Sequence, residues 1–295
     1  MKQEFFKNRD KGEKKSFGEV INLMTSNYIG VKVAFLGIFL FLPILTQCQT
    51  KAETKPALVK TLVWSEEFNY NGLPDSTKWN IQVGKSRVNN EPQWYTRDPK
   101  NLQVANGMLT ISCLIENVEG QNRYTSGRIN SRGKYVCTMG RIEARAKLPK
   151  GRGVWPAFWT LGLTGGWPAC GEIDIMEYWG HNPNTIASNV HTRDYNHTKG
   201  TGRGGKIVFE NPFDDFHIYA VEWFADRMDF YFDDTLFYSC KSKGEGIGEW
   251  PFNAPQYIIL NFALSNNWKP GEPGIDDSIF PQKFIVDYVR VYSLK

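Results

Sequence analysis

Residues 171–180 read GEIDIMEYWG, with three carboxylates, Glu172, Asp174 and Glu177, inside six residues. Between them stand only Ile173, Ile175 and Met176. A surface loop does not intersperse acids with β-formers in this way, and a strand covered on both faces does not carry three acids. The alternation is that of a strand with one face on a core and one face open. Glu172 and Asp174 then point the same way, because strand side chains alternate with a period of two. A regular strand sends Glu177 to the other side. One extra residue, a β-bulge at or next to Met176, brings it back to join the other two.

Outward from this segment the same period recurs. GMLTISCLI (107–115) alternates, with Cys113 on its apolar side, and so does GRIEARAKL (140–148). In the latter, Ile142, Ala144 and Ala146 oppose Arg141, Glu143, Arg145 and Lys147. FHIYAVEWF (216–224), RMDFYFDD (227–234), QYIILNFAL (256–264) and KFIVDYVRVYS (283–293) continue it, divided by Gly, Pro, Asn and Asp turns. No helical stripe competes. Many short strands over about 235 residues predict an all-β fold, a two-sheet antiparallel β-sandwich of which curved jelly rolls are a common case.

The spacing of the acids has chemical meaning. With the bulge, Glu172 and Glu177 lie four strand positions apart, roughly 13 Å between Cα atoms. Side chains leaning together leave a gap of about 5–6 Å, nearer the ~5–5.5 Å of carboxyl pairs in retaining glycosidases than the ~6.5–9.5 Å of inverting ones. Asp174 between them resists ionising beside its neighbours and keeps a proton in the group. A solvated acidic face and a calcium-binding row of hard oxygen donors are the competing readings. The stretch GRGVWPAFWTLG (151–162) weighs against both, since Trp155, Ala157 and Trp159 share one strand face and two indoles four residues apart make a platform for sugar rings. Ten tryptophans in 295 residues exceed what packing asks for.

Charge excludes a nucleic-acid partner. Of 35 basic and 31 acidic residues, the first 60 hold ten and five, leaving 25 and 26 in the remainder. The excess positive charge therefore belongs to the N-terminal segment. There, VAFLGIFLFLPIL (Val33–Leu45) follows Lys32, an uncharged run of 13 residues that matches a signal peptide and is short for a membrane span. LTQC (Leu45–Cys48) resembles a lipoprotein cleavage site whose cysteine becomes the lipidated first residue, although Gln47 replaces the usual small residue. The expected organisation is a leader over 1–47, a linker over 48–60 and one domain over 61–295. The expected location is outside the inner membrane: cell surface, periplasm or medium. Cys113, Cys137, Cys170 and Cys240 show no CxxC spacing and are expected as buried free thiols. HTRDYNH (191–197) matches no strong zinc spacing.

GEIDIMEYWG, WPAFW, GWPACGEID, GRIEARAKLP, VWSEEFN and VDYVRVY together resemble glycoside hydrolase family 16, in its bacterial laminarinase (endo-β-1,3-glucanase) branch. The resemblance covers essentially all of 61–295, and the extra residue of E-x-D-x-x-E matches that branch where lichenase-type members carry E-x-D-x-E. It implies a jelly roll with an open cleft on the concave face and retaining hydrolysis of β-1,3-glucan without a catalytic cofactor. It also implies that Glu172 is the nucleophile, Asp174 the assisting acid and Glu177 the acid/base. Trp155, Trp159 and Trp167 match cleft aromatics. Asn90, Arg128 and His191 match positions contacting the sugars nearest the cleavage point, with Asn261 a further cleft position. A structural calcium on the convex side would take the Asp287 side chain and the backbone carbonyls of Glu67 and Gly107. The loop ALSNNWKPGEPG (263–274) lacks a glycine pair common in the branch, and Pro92 replaces a larger residue, so the cleft edge is expected to differ. A monomer acting on polysaccharide is expected. The alternatives are another family 16 polysaccharidase, acting on mixed-linkage glucan or a marine galactan, and a non-catalytic carbohydrate-binding module. The last has no reason to keep both glutamates.

Overall fold

The computed structural model describes residues 58–86, 88–118, 120–266 and 273–295. The leader, Cys48, most of the linker and half of the 263–274 loop lie outside these residues. The described chain forms two β-sheets. One has seven antiparallel strands in the order Arg203–Val208, Thr185–His191, Glu172–Tyr178, Val154–Gly162, Gln256–Leu264, Arg128–Asn130, Asn80–Ile81. The other has eleven, and at its centre Gly140–Lys147 and Met108–Val118 flank the long C-terminal strand Gln282–Leu294. Its one parallel pair joins Trp94–Tyr95 to Gln121–Ser126. Among the described residues the helices are two 3₁₀ turns, His197–Lys199 and Asp277–Ile279.

The alternating runs place their apolar sides between the sheets. Ile142, Ala144, Val286, Val289 and Phe230 come from the larger sheet, and Phe158, Ile173, Met176, Ile258, Leu260 and Phe262 from the smaller; all are fully buried. Each large apolar side chain taken from water contributes roughly 1.5–3 kcal/mol, which lets the smaller sheet carry polar groups on its other face. The four cysteines are unpaired and buried, with Cys113 on its predicted inward side.

The polar side of Gly140–Lys147 differs from expectation, since Arg141 and Glu143 are themselves buried. Arg141 donates to Glu143 at 2.7 Å and to Glu222 at 3.3 Å, and Lys60 pairs with Glu222 at 3.0 Å. Charges removed from water persist only when matched in this way.

Candidate active site

The carboxylate strand is irregular where the chemistry asked for irregularity. Against Val154–Gly162, Met176 faces Phe158 and Asp174 faces Trp159, so Ile175 has no opposite residue. Against Thr185–His191, the register slips by one between Asp174 and Glu177. Ile175 and Met176 are both buried, so two successive side chains turn inward and Glu177 emerges beside Glu172 and Asp174.

Strand pairing then sets a row across the outer face of the smaller sheet. Arg128 faces Asn261, Asn261 faces Ala157, Ala157 faces Glu177, Glu177 faces Ala187 and Ala187 faces Lys206. At about 4.8 Å per strand this row spans about 24 Å, with Glu177 in its middle. A cleft of about 420 Å³ lies over it, walled by Trp155, Trp159, Trp167, Glu172 and Asn261 among others. A larger hollow of about 850 Å³ around Tyr70, Arg97 and Lys134 has Asp75 as its only acid and offers no carboxyl pair.

Each indole of the platform has a second role. Trp155 Nε1 donates to Glu177 Oε1 at 3.1 Å, and Trp159 Nε1 donates to Asn261 Oδ1 at 2.7 Å. The Arg128 guanidinium lies 5.0 Å from the Trp159 ring centre, and its Nε has no partner. Trp167 stands exposed at the lip, with its ring against His191 and His197.

His191 lies beside the acids on the same strand face, with Nε2 3.2 Å from Asp174 Oδ2 and 3.8 Å from Glu172 Oε1. Asn90 sits exposed at the tip of a turn in which Asn89 and Asn90 both adopt left-handed backbone (φ 54° and 53°). That turn directs Asn89 and Glu91, not Asn90, to the cleft wall.

Sequence reasoning also missed Asn189, whose Nδ2 donates to Glu177 Oε2 at 2.6 Å. The signal was available, because Asn189 precedes His191 by two in the same strand and so shares its face. Opposite it, a Cβ on Gly204 would overlap the Asn189 amide oxygen, so glycine there preserves the amide that holds Glu177. His197 and Thr198 reach the cleft from a turn built on the buried Asn196, whose Oδ1 accepts from Thr198 Oγ1 at 2.6 Å.

Burial raises all three carboxyls. Glu172 is pushed well above the usual range by burial and then by the charge of Asp174, with His191 opposing. Asp174, only 4% exposed, is pushed well above it by burial and by Glu177. Glu177 is raised by burial, against donors Asn189 and Trp155 and the charges of His191 and Lys206. Each of the three therefore resists losing its proton. The Glu172 carboxyl opposes the rise at Asp174, while the charge of Asp174 adds to the rise at Glu172.

This arrangement costs stability. A carboxyl whose folded pKa lies above its unfolded value destabilises nothing below the unfolded value, and its cost grows as pH rises towards the folded one. Glu172→Gln is therefore expected to raise Tm at pH 8 and leave it unchanged near pH 4. A rise of roughly 2–4 °C corresponds to ~1 kcal/mol in a domain of this size. Calorimetry at both pH values checks this, and an equal shift at each would sink the explanation.

The residues expected around calcium lie far along the other sheet. Arg145 Nη1 donates to Asp287 Oδ2 at 2.7 Å, and Arg290 holds both Glu67 carboxylate oxygens at 2.9 and 2.8 Å. Gly107 occupies a left-handed turn (φ 75°) beside Asn69. A cation on Asp287 would share its carboxylate with a guanidinium, so these donors fit calcium poorly.

Carboxyls that resist ionising, set in a groove lined with indoles, are what cleavage of a bond between sugars demands, and a jelly roll built around them is a glycosidase. The chain belongs to glycosyl hydrolases family 16, whose family model matches residues 78–288. It is 45% identical to a beta-glucanase of Rhodothermus marinus over 78% of this chain and 84% of that protein. The X-ray structure of the laminarinase from Rhodothermus marinus superposes with a TM-score of 0.76 at 43% identity, covering 81% of this chain and 99% of that one. A keratan-sulfate endo-1,4-beta-galactosidase of Sphingobacterium multivorum is 33% identical over 85% of this chain and 61% of its own length.

Proposed function

We propose that this protein is an endo-acting β-1,3-glucanase that hydrolyses laminarin-like polysaccharide by double displacement with retention. The observation that carries the reading is the bulged strand, which puts Glu172 and Glu177 on one open face with Asp174 between them. In the first step Glu172 attacks the anomeric carbon while Glu177 protonates the departing glycosidic oxygen. In the second, Glu177 takes a proton from water, which displaces Glu172 and restores the starting configuration. Asp174, on the same strand face as Glu172, steadies the nucleophile. Both Glu177 oxygens accept hydrogen bonds, from Trp155 and Asn189, which orients the carboxyl for alternate acid and base roles. Two carboxyls suffice for this sequence, and no cofactor takes part.

Similarity to a beta-glucanase and a laminarinase supports β-1,3-glucan as substrate. The rival substrate class is a galactan, favoured by the keratan-sulfate endo-galactosidase relative. Counting reducing ends after incubation with laminarin, lichenan, agarose and carrageenan separates the two. Laminarin is expected to be cut into oligosaccharides. Release from agarose or carrageenan with laminarin intact would overturn the assignment.

The leader and LTQC support export and anchoring through a lipid on Cys48, with the catalytic domain acting as a monomer on a short tether. Growth with a labelled fatty acid is expected to mark the wild type and not Cys48→Ser. An unlabelled wild type whose mature N-terminus is not Cys48 contradicts anchoring.

A further inference from the structure

We infer that Glu172, Asp174 and His191 form a binding site for a divalent transition-metal ion of the zinc class, and that such an ion and the polysaccharide exclude one another. The donors come from two neighbouring strands. Glu172 directly faces His191 across the ladder, and Asp174 faces Asn189, so three donor side chains of the same face converge. Their ligand atoms all lie within 4.8 Å of one another. His191 Nε2 is 3.2 Å from Asp174 Oδ2 and 3.8 Å from Glu172 Oε1. A tetrahedral zinc ion with bonds of about 2.0–2.2 Å holds its ligand atoms about 3.3 Å apart, close to the two separations from His191, and the two carboxylates turn toward each other to complete the set.

A second observation points to a ligand here. Asp174 is 4% exposed, and its Oδ2 makes no well-aligned hydrogen bond, its one near partner being His191 Nε2 at 3.2 Å. A buried acceptor left in that state is costly, and a cation on it removes the cost. One imidazole with two carboxylates suits zinc, cobalt or copper(II); the hard cations calcium and magnesium prefer oxygen donors alone. The sequence spacing from His191 to His197 did not reveal the site because the ligands belong to different strands and His197 is not one of them.

The consequence for the enzyme is inhibition. An ion bound here occupies the nucleophile and its partner acid, so neither is free while the ion stays. Metal loading would therefore hold the glucanase inactive until polysaccharide or a chelator displaces the ion. Binding itself rests on geometry alone; the exclusion rests on the cleft being the glucan site.

The test is a titration of the purified protein with cobalt(II) chloride, followed by visible absorption. One equivalent is expected to bind, giving the intense bands of a low-coordinate site, and zinc chloride is expected to abolish them. A β-1,3-gluco-oligosaccharide in excess is expected to abolish them too, and zinc to inhibit laminarin hydrolysis competitively. His191→Gln and Asp174→Asn are each expected to weaken cobalt binding by about tenfold or more, the scale of loss seen when metal-site partners are removed. His197→Gln is expected to leave it unchanged. If one variant does not fold, the other decides, since the two residues lie on different strands. No bands up to about 1 mM cobalt, or undiminished binding in the folded variants, overturns the metal site without touching the glucanase reading. Binding that survives saturating oligosaccharide while laminarin is still cleaved overturns the exclusion.

Discussion

Azide is expected to restore turnover to both Glu172→Ala and Glu177→Ala on an activated β-glycoside, with products of opposite configuration. Each substitution alone is expected to lower activity on laminarin by ~10⁴-fold or more, the scale of losing a nucleophile or its proton partner in other hydrolases. Removing Glu172 abolishes the covalent step and leaves a small hole beneath the anomeric carbon. Azide enters that hole and attacks a glycoside whose leaving group needs no proton. One inversion gives the α-glycosyl azide. Removing Glu177 keeps the nucleophile, so the glycosyl-enzyme still forms from the activated substrate. Azide intercepts it from the opposite face, and the second inversion gives the β-glycosyl azide. NMR of the two products assigns the roles. A β product from Glu172→Ala with an α product from Glu177→Ala would exchange them, and two fully active variants would remove the strand from the mechanism altogether.

The second large effect is steric. Ala157 stands in the row between Asn261 and Glu177 and lines the cleft floor between the two platform indoles. Trp155 and Trp159 are each tethered by an N–H, to Glu177 and to Asn261, so neither swings aside without releasing a catalytic or binding partner. Ala157→Leu therefore projects its added carbons upward, into the volume a sugar ring takes. A ring lifted by an ångström or so loses alignment with the carboxyls, which costs about 10²-fold in kcat/KM. Tm is expected to change little, because the new side chain enters the cleft and not the core. Unaltered kinetics with laminarin would mean that substrate does not lie along this row.

The fold was largely legible because its signal is periodic. Runs such as GRIEARAKL and QYIILNFAL announce which side faces the core, and the structure keeps those sides. The bulge was legible for a different reason: chemistry required Glu177 on the open face, and only an extra residue could put it there. What escaped was long-range. Nothing local says that Arg141 and Glu143 are covered, because Glu222, which pairs with Arg141, lies about eighty residues on. Nor does the sequence show that two successive left-handed residues, Asn89 and Asn90, shape the turn that brings Asn89 and Glu91 to the cleft wall. The second roles of Trp155 and Trp159 were hidden too, since a platform of indoles is visible in a sequence and the direction of an N–H is not.

The unmatched residue at Ile175 makes this segment tolerant of a change that would ruin any other strand of the sheet. A single-codon loss in Gln256–Leu264 would turn every following side chain inside out. Here the loss of Ile175 turns E-x-D-x-x-E into E-x-D-x-E, in which a perfectly regular strand already places all three acids on one side. Both spellings of the site have the same parity, and they differ in how sharply the strand bends beneath the substrate. Deleting Ile175 would therefore exchange a kinked for a straight cleft floor without turning the acids toward the core.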